Sequence, residues 1–339
     1  MTETAQLETA ADLAGNAALL EIVENLGASE LLDAGRPFTA ADLAAAAQLA
    51  PVRAGVLLDA LAASGLVVPT GQDGAFAACA ELADRRYESG YLSWAFSANR
   101  PYLDLAAPLL RSTDGPGAQC DGTRPTDGPS AQRDGKKVAV SSRWIGSAGF
   151  YPAALAAIGD CAPNRMVDLG AGAAGLLLAV LGQLPECTGV ALDLSAEACA
   201  EAAAAAGRAG AQDRLEIVNR PIQSLVDDPT PVSGADVVHA GFVMHDLAAS
   251  PDLLIAVLTS CREAMAPNGR MIVTDAVPYV ANTRERSFSA LFTYLHAAFM
   301  DVDLPSEQQW LSMFDKAGFG QVQCSSHRMP TGRMFVATR

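Results

Sequence analysis

Basic residues are scarce in this chain. Lys and Arg together number 23 against 38 Asp and Glu, a formal net charge of −15 over 339 residues. Such a surface repels DNA, RNA and anionic lipid and favours solubility, so neither nucleic acid nor membrane is expected as a partner. Long apolar runs are also missing, which excludes an ordinary transmembrane helix. The opening residues, MTETAQLETAADLAGN, carry acids and no early Lys or Arg. That argues against a signal or transit peptide and leads to a cytoplasmic expectation. Cysteine is scattered: Cys79, Cys120, Cys161, Cys187, Cys199, Cys261 and Cys324 form no CxxC pair. They predict reduced thiols rather than a disulfide framework or a four-Cys zinc site.

Apolar side chains are plentiful. They make up 50% of the residues, enough for a sizeable core, and the length allows two domains. The informative stretch is VDLGAGAAGLLLAVLGQLPECTGVALD, residues 167–193. Val167 to Leu169 read as the end of a buried strand, and Gly170, Ala171 and Gly172 as a tight turn. Leu176 to Leu181 then read as an apolar helix, and Thr188 to Leu192 as a second strand ending in Asp193. A turn without bulk lets backbone approach a ligand closely. An acid about 20 positions further on suits a ribose with both hydroxyls free. A dinucleotide fold uses similar parts. Two details favour S-adenosylmethionine: the turn lacks strict GxGxxG spacing, and Asp168 stands where a carboxylate reaches the amino end of a bound methionine. Asp168, Gly170, Gly172 and Asp193 are therefore the candidate donor-binding residues.

Before this unit the chain reads as mainly helical. Leu13, Leu19, Leu20, Ile22, Val23, Leu26 and Leu31 recur at helical spacing. Thr39 is a plausible N-cap, Pro51 opens a further helix and Gly65 closes it. Residues 66–69 and 75–78 are spaced to pair as a hairpin. Helix, helix, hairpin is a winged-helix pattern. Residues 36–76 hold only Arg36 and Arg53 as basic residues, so packing or dimerisation is the expected role, not DNA binding. Residues 112–135, rich in Gly, Pro, Asp and Ser, predict a long loop of the kind that forms lids. A helix is expected over 138–159.

From Met166 onward, strands and helices alternate. Strands are expected near 166–169, 188–192, 214–218, 235–240 and 270–275, with further ones near 321–326 and 333–337. Helices are expected over 173–183, 196–209, 246–266, 286–299 and 306–317. This is an α/β pattern: a doubly wound parallel sheet with helices on both faces and an antiparallel strand at its end. Ligands of such sheets bind beyond the carboxyl ends of the strands, where Asp168, Asp193, Arg220 and His239 to His245 all fall. Arg220 joins the donor set, although Pro221 stands where an acid for the adenine amine is often found. The chain has four His. His245, at a strand end next to the expected donor, suits a general base or a metal ligand. His239 reads as a buried strand residue bonded to backbone or as a third ligand, and His327 as surface.

Nearly the whole chain resembles the two-domain small-molecule methyltransferases related to plant phenolic O-methyltransferases. The carriers are the winged-helix pattern, GAGAAG, Asp193, the pair His245–Asp246 and the strand MAPNGRMIVTDAV. The resemblance implies a Rossmann-like methyltransferase domain over 146–339, a helical, winged-helix-like dimerisation and lid domain over 1–145, and a homodimer. In that family the His of the HD pair deprotonates the substrate hydroxyl. The last third, LHAAFMDVDLPSEQQW, is closer to a smaller branch: metal-dependent 2-oxo acid C-methyltransferases of peptide-antibiotic pathways, of the phenylpyruvate type. That resemblance implies that His245 and His296 hold a metal and that Arg133, in the Gln132–Asp134 motif, clamps the substrate carboxylate.

The chemistry is coherent. A carbon beside a ketone becomes nucleophilic only after losing a proton, and a Lewis acid on the ketone oxygen eases that loss. Imidazoles suit Fe, Zn, Ni or Co. Asp246 is the expected proton handler. Trp94, Arg143, Phe242, Phe299 and Val302 are expected to shape a mostly apolar pocket, while Asp301 and Asp303 suit a guanidino side chain. Two rivals stand beside this reading: an O-methyltransferase with His245 as base and no metal, and a winged-helix regulator that senses S-adenosylmethionine.

Overall fold

Parallel strands covered on both faces have no polar side, and the second half of this chain is written that way. The computed structural model describes residues 3–72, 74–111, 132–280, 286–329 and 331–339. The expected lid lies, through residue 131, outside the described residues. The chain divides into two compact units, Met1–Asp104 with Ala131–Ala148, and Leu105–Ser130 with Gly149–Arg339.

The first unit is helical, with one small sheet. Strands β1 (Phe38–Thr39), β2 (Val67–Pro69) and β3 (Ala75–Ala78) pair antiparallel in the order β1-β3-β2. Thr39 caps the helix Ala40–Ala46 through a reciprocal box. Its Oγ1 accepts from the Asp42 N–H at 3.3 Å, and its own N–H donates to Asp42 Oδ2 at 2.7 Å. Pro51 opens the helix Pro51–Ala63, where its missing N–H costs nothing. Gly65, at φ +73°, turns the chain into β2. Leu20, Leu43, Leu58, Leu61, Leu66 and Trp144 are buried together as this unit's core.

The second unit is built on a seven-stranded sheet. Its strands are β4 (Arg165–Leu169), β5 (Thr188–Asp193), β6 (Leu215–Asn219), β7 (Val237–Gly241), β8 (Arg270–Ala276), β9 (Gln321–Ser326) and β10 (Gly332–Thr338). Their order is β6-β5-β4-β7-β8-β10-β9. The first five are parallel, and β10 lies antiparallel between β8 and β9. Residues such as Val167, Leu169, Val190, Val238 and Val273 are fully buried. Polar β9, partly exposed along its length, closes one edge. Chain order reverses at β4, which places the crevice of a doubly wound sheet beyond the ends of β4, β5 and β7.

Two expected helices are interrupted. The stretch 138–159 is two helices, Gly135–Gly149 and Tyr151–Gly159, parted at Phe150; Pro152 has no N–H to continue the first and suits the opening turn of the second. The stretch 246–266 starts as an α-helix only at Pro251 and runs to Ala264, after a separate 3₁₀ turn, Met244–Leu247. That turn carries His245. Among the described residues, no single helix is long and apolar enough to cross a membrane.

Candidate active site

The expected donor turn has the left-handed backbone its composition predicts. Gly170 and Gly172 have φ of +68° and +56°, values that glycine adopts without a steric penalty. The Gly170 and Ala171 N–H groups donate to Leu192 O at 2.8 and 3.1 Å, tying the turn to the end of β5. Asp193 organises the next step. Its Oδ2 accepts from the Gly172 N–H and its Oδ1 from the Ser195 N–H, both at 2.8 Å. A carboxylate offers about four lone-pair positions, so acceptor capacity remains for a diol. A Cβ on Gly172 would meet nothing within 4 Å, whereas one on Gly170 would lie 2.8 Å from Val243 Cγ2. The turn is open on one side and braced on the other. An open glycine turn beside an acid with spare lone pairs fits the sugar and amino-acid parts of S-adenosylmethionine.

Asp168, next to last in β4, is almost wholly buried, and its Oδ1 accepts from His239 Nδ1 at 2.7 Å. His239 thus bonds to a carboxylate and not to backbone. The Arg220 guanidinium is spent locally: it donates to Asp228 Oδ2 at 2.7 Å, to Ser224 Oγ at 3.1 Å and to two carbonyls. Leu194, directly after Asp193, is 73% exposed, and the sequence reading passed over it.

The second cluster joins β7, β8 and a late helix. Phe242 leaves β7 with φ +53°, a left-handed backbone that costs a bulky residue about 1–3 kcal/mol. The chain then turns into Met244–Leu247 and aims His245 at His296, on the helix Arg286–Phe299. The two Nε2 atoms lie 3.2 Å apart, and both rings are buried. Each Nδ1 faces an acceptor. His245 Nδ1 meets Asp275 Oδ1 at 2.5 Å, and His296 Nδ1 meets the Phe292 carbonyl at 2.7 Å. A carbonyl and a carboxylate only accept, so both Nδ1 atoms carry hydrogen. In the neutral rings, both Nε2 atoms then present lone pairs to each other.

Asp275 is fully buried in β8. Its Oδ2 also accepts from the His245 backbone N–H at 3.0 Å, and its Oδ1 from the Ala276 N–H at 2.7 Å. The sequence reading missed it, although an acid inside RMIVTDA was a signal that something buried needs it. Asp246 Oδ1 stands 3.5 Å from His245 Nε2, with its side chain half in solvent. His245, Asp246 and His296 offer ligand atoms within 4.8 Å of one another, and His239 is not part of this group. Two ligands bound at about 2.0–2.1 Å with tetrahedral or right-angle geometry are separated by roughly 3 Å. The imidazole pair fits a transition cation.

Among the expected pocket residues, Phe299 and Val302 are buried just beyond His296, whose carbonyl accepts from the Val302 N–H at 3.0 Å. Phe242 packs against Phe150, with centroids 4.9 Å apart. His327 requires a correction. It is not a surface residue: its ring packs near Phe150 and Phe242, and its Nε2 is enclosed without a partner. Burial, helped by the Arg333 charge, lowers its pKa to about 4. Trp94, Arg133 and Arg143 belong to the first unit. There Trp94 is buried, Arg133 is half-buried, and Arg143 pairs with Glu24 at 2.8 Å.

Residues 167–271 match the family described as Methyltransferase domain. That segment, under a third of the chain, is similar to a methyltransferase domain and lies within the Rossmann-like sheet described above. The chain is similar in sequence to two curated proteins. One is aclacinomycin 10-hydroxylase RdmB of Streptomyces purpurascens, 27% identical over 157 residues, 46% of this chain and 40% of that protein. The other is the S-adenosyl-L-methionine-dependent methyl transferase PigF of Serratia sp., 26% identical over 115 residues, 34% of this chain and 31% of that protein. The matches therefore span less than half the length of either relative. Among solved structures, the riboflavin-derivative dimethyltransferase RosA from Streptomyces davawensis superposes with TM-score 0.58 at 21% identity, covering 100% of this chain and 99% of that one. At that identity the likeness is one of fold. RdmB's name as a hydroxylase separates fold from chemistry, so the acceptor must be argued from the site.

Proposed function

We propose that this chain transfers a methyl group from S-adenosylmethionine to C3 of a 2-oxo acid, with a transition cation held by His245 and His296. The observation that carries the reading is the pair of Nε2 atoms 3.2 Å apart, each with its Nδ1–H directed at an acceptor. Two facing lone pairs repel unless a metal cation or a shared proton lies between them. The cation, when bound, supplies Lewis-acid polarisation of the substrate's ketone.

The protein's own groups do the rest. Asp275 fixes the ring of His245 and the nitrogen it presents, as a carboxylate behind a ligating His does. Asp246 accepts the C3 proton. The C3 electron pair then forms the new C–C bond to the methyl carbon as the S–CH₃ bond breaks, leaving a neutral thioether. Gly170, Gly172 and Asp193 hold the donor, with Asp168 at its amino end and exposed Leu194 beside the adenine. Phe242, Phe299 and Val302 exclude water from an apolar substrate side chain. Arg133 as the carboxylate's partner rests on the Gln132–Asp134 motif. RdmB is named for aclacinomycin and RosA for a riboflavin derivative, which supports a small-molecule natural-product pathway.

A second reading has its own support. A His whose Nδ1 is held by a buried carboxylate is also how a general base is oriented, and His245 with Asp275 has that form. An O-methyltransferase needs nothing from His296. Metal analysis of protein purified without added metal, together with mass spectrometry on a panel of 2-oxo acids and NMR location of the new methyl, separates the two. The proposal expects bound metal, lost in both His245→Ala and His296→Ala, and a methyl on C3. Metal-free protein in which only His245→Ala loses activity, on a phenolic acceptor, sinks it in favour of O-methylation.

A further inference from the structure

Asp168 and His239 form a buried pair that the chemistry at His245 and His296 does not use. They sit opposite each other in register on the adjacent parallel strands β4 and β7, 4% and 2% exposed. Their flanking strand residues, Val167, Leu169, Val238 and Ala240, are all fully buried and apolar. Stability does not account for a polar pair here. A buried ion pair is often no better than apolar residues of like volume. This one also leaves His239 Nε2 buried without a partner, which adds a desolvation cost. Room is made for the ring: a Cβ on Gly241 would lie 3.2 Å from His239 Cε1.

We propose that His239 is a positioning residue for the donor's amino-acid end, acting through Asp168. This rests on the donor reading above. A carboxylate on a strand end turns about its side-chain torsions unless one oxygen is held. The His239 Nδ1–H holds Oδ1 at 2.7 Å. Among the described residues no hydrogen bond reaches Oδ2, which is left as the acceptor for an ammonium group. The recognised chemistry is the α-ammonium of the methionine or homocysteine moiety. His239 sets the direction of the acceptor and spares the ammonium the entropy of ordering it.

The test is calorimetric binding of S-adenosylhomocysteine, and of its analogue lacking the α-amino group, to the full chain. His239→Leu removes the donor, whereas His239→Asn keeps one near the Nδ1 position. His239→Leu is expected to weaken S-adenosylhomocysteine about tenfold or more and to leave the desamino analogue unchanged. His239→Asn should bind close to wild type, and adding His239→Leu to Asp168→Asn should cost little further. The melting temperature of His239→Leu should fall, since the Asp168 carboxylate is left buried without its partner, so binding is compared well below the melting range of each variant. Equal loss of both ligands in His239→Leu, or no loss of either, overturns the positioning role while the donor reading stands. Failure of wild type to bind S-adenosylhomocysteine overturns the donor reading itself.

Discussion

Asp275 shows how much a single residue controls here. It supplies the acceptor that forces hydrogen onto His245 Nδ1, and it also holds the His245 backbone. Asp275→Asn keeps the shape and removes the charge. Metal affinity, read by competition with a chelator, should fall about 10–100-fold. Wild-type affinity in that variant would remove Asp275 from the site's design. His327 gives a prediction of a different kind. Its pKa in the fold is lowered to about 4 from the ordinary 6.5, chiefly by burial. The unfolded chain therefore takes up a proton below pH 6.5 that the folded chain refuses until about pH 4. The stability linked to this group is fully present above pH 6.5 and is lost as the pH falls toward 4. Denaturant melts should show His327→Asn, whose Oδ1 can replace Nδ1 as acceptor for the Met329 N–H, gaining on wild type between pH 7 and pH 4.5. Parallel curves would refute this. At this scale the sequence was legible where the chemistry is local. Gly170, Gly172 and Asp193 lie within one strand–turn–helix–strand unit, and spacing alone brings them together. Asp275 with His245, and His239 with Asp168, are tertiary pairings 30 and 71 positions apart, and no local pattern announces them.

The segment from Phe242 to Leu247 is where elements meet. The strand–helix alternation predicts the following helix over 246–266. Pro251 decides otherwise: it serves best in a first turn, so the α-helix starts there and the His245 segment is left as a separate 3₁₀ turn. That turn is braced from the donor side by Val243 against Gly170. Gly170→Ala would place a Cβ 2.8 Å from Val243 Cγ2 on a backbone at φ +68°. The strain and the clash together should cost about 1–3 kcal/mol. The substitution should also displace the turn that carries His245, so metal affinity and donor affinity should fall together. Urea denaturation and the two binding measurements check this. Wild-type stability with both affinities intact would mean the two sites are not mechanically joined through Val243.

At the scale of the whole molecule, alternation of strand and helix made the five parallel strands legible. The position of β10 was not, because its place between β8 and β9 depends on which edge is free once β4 to β8 have paired. Net charge is likewise a property of the whole chain, and it separates the two functional readings. A 2-oxo acid is an anion at neutral pH, and it approaches a protein of formal charge −15. Like-charge repulsion slows that encounter, and salt screens it over a Debye length that shrinks from roughly 30 Å at 0.01 M to about 8 Å at 0.15 M. Under the 2-oxo acid reading, kcat/KM should rise a few-fold across that range of ionic strength while kcat stays level. For a neutral phenol in the same buffers, kcat/KM should not move. A 2-oxo acid whose kcat/KM falls with added salt would show that local cationic groups, Arg133 first among the candidates, outweigh the field of the chain as a whole.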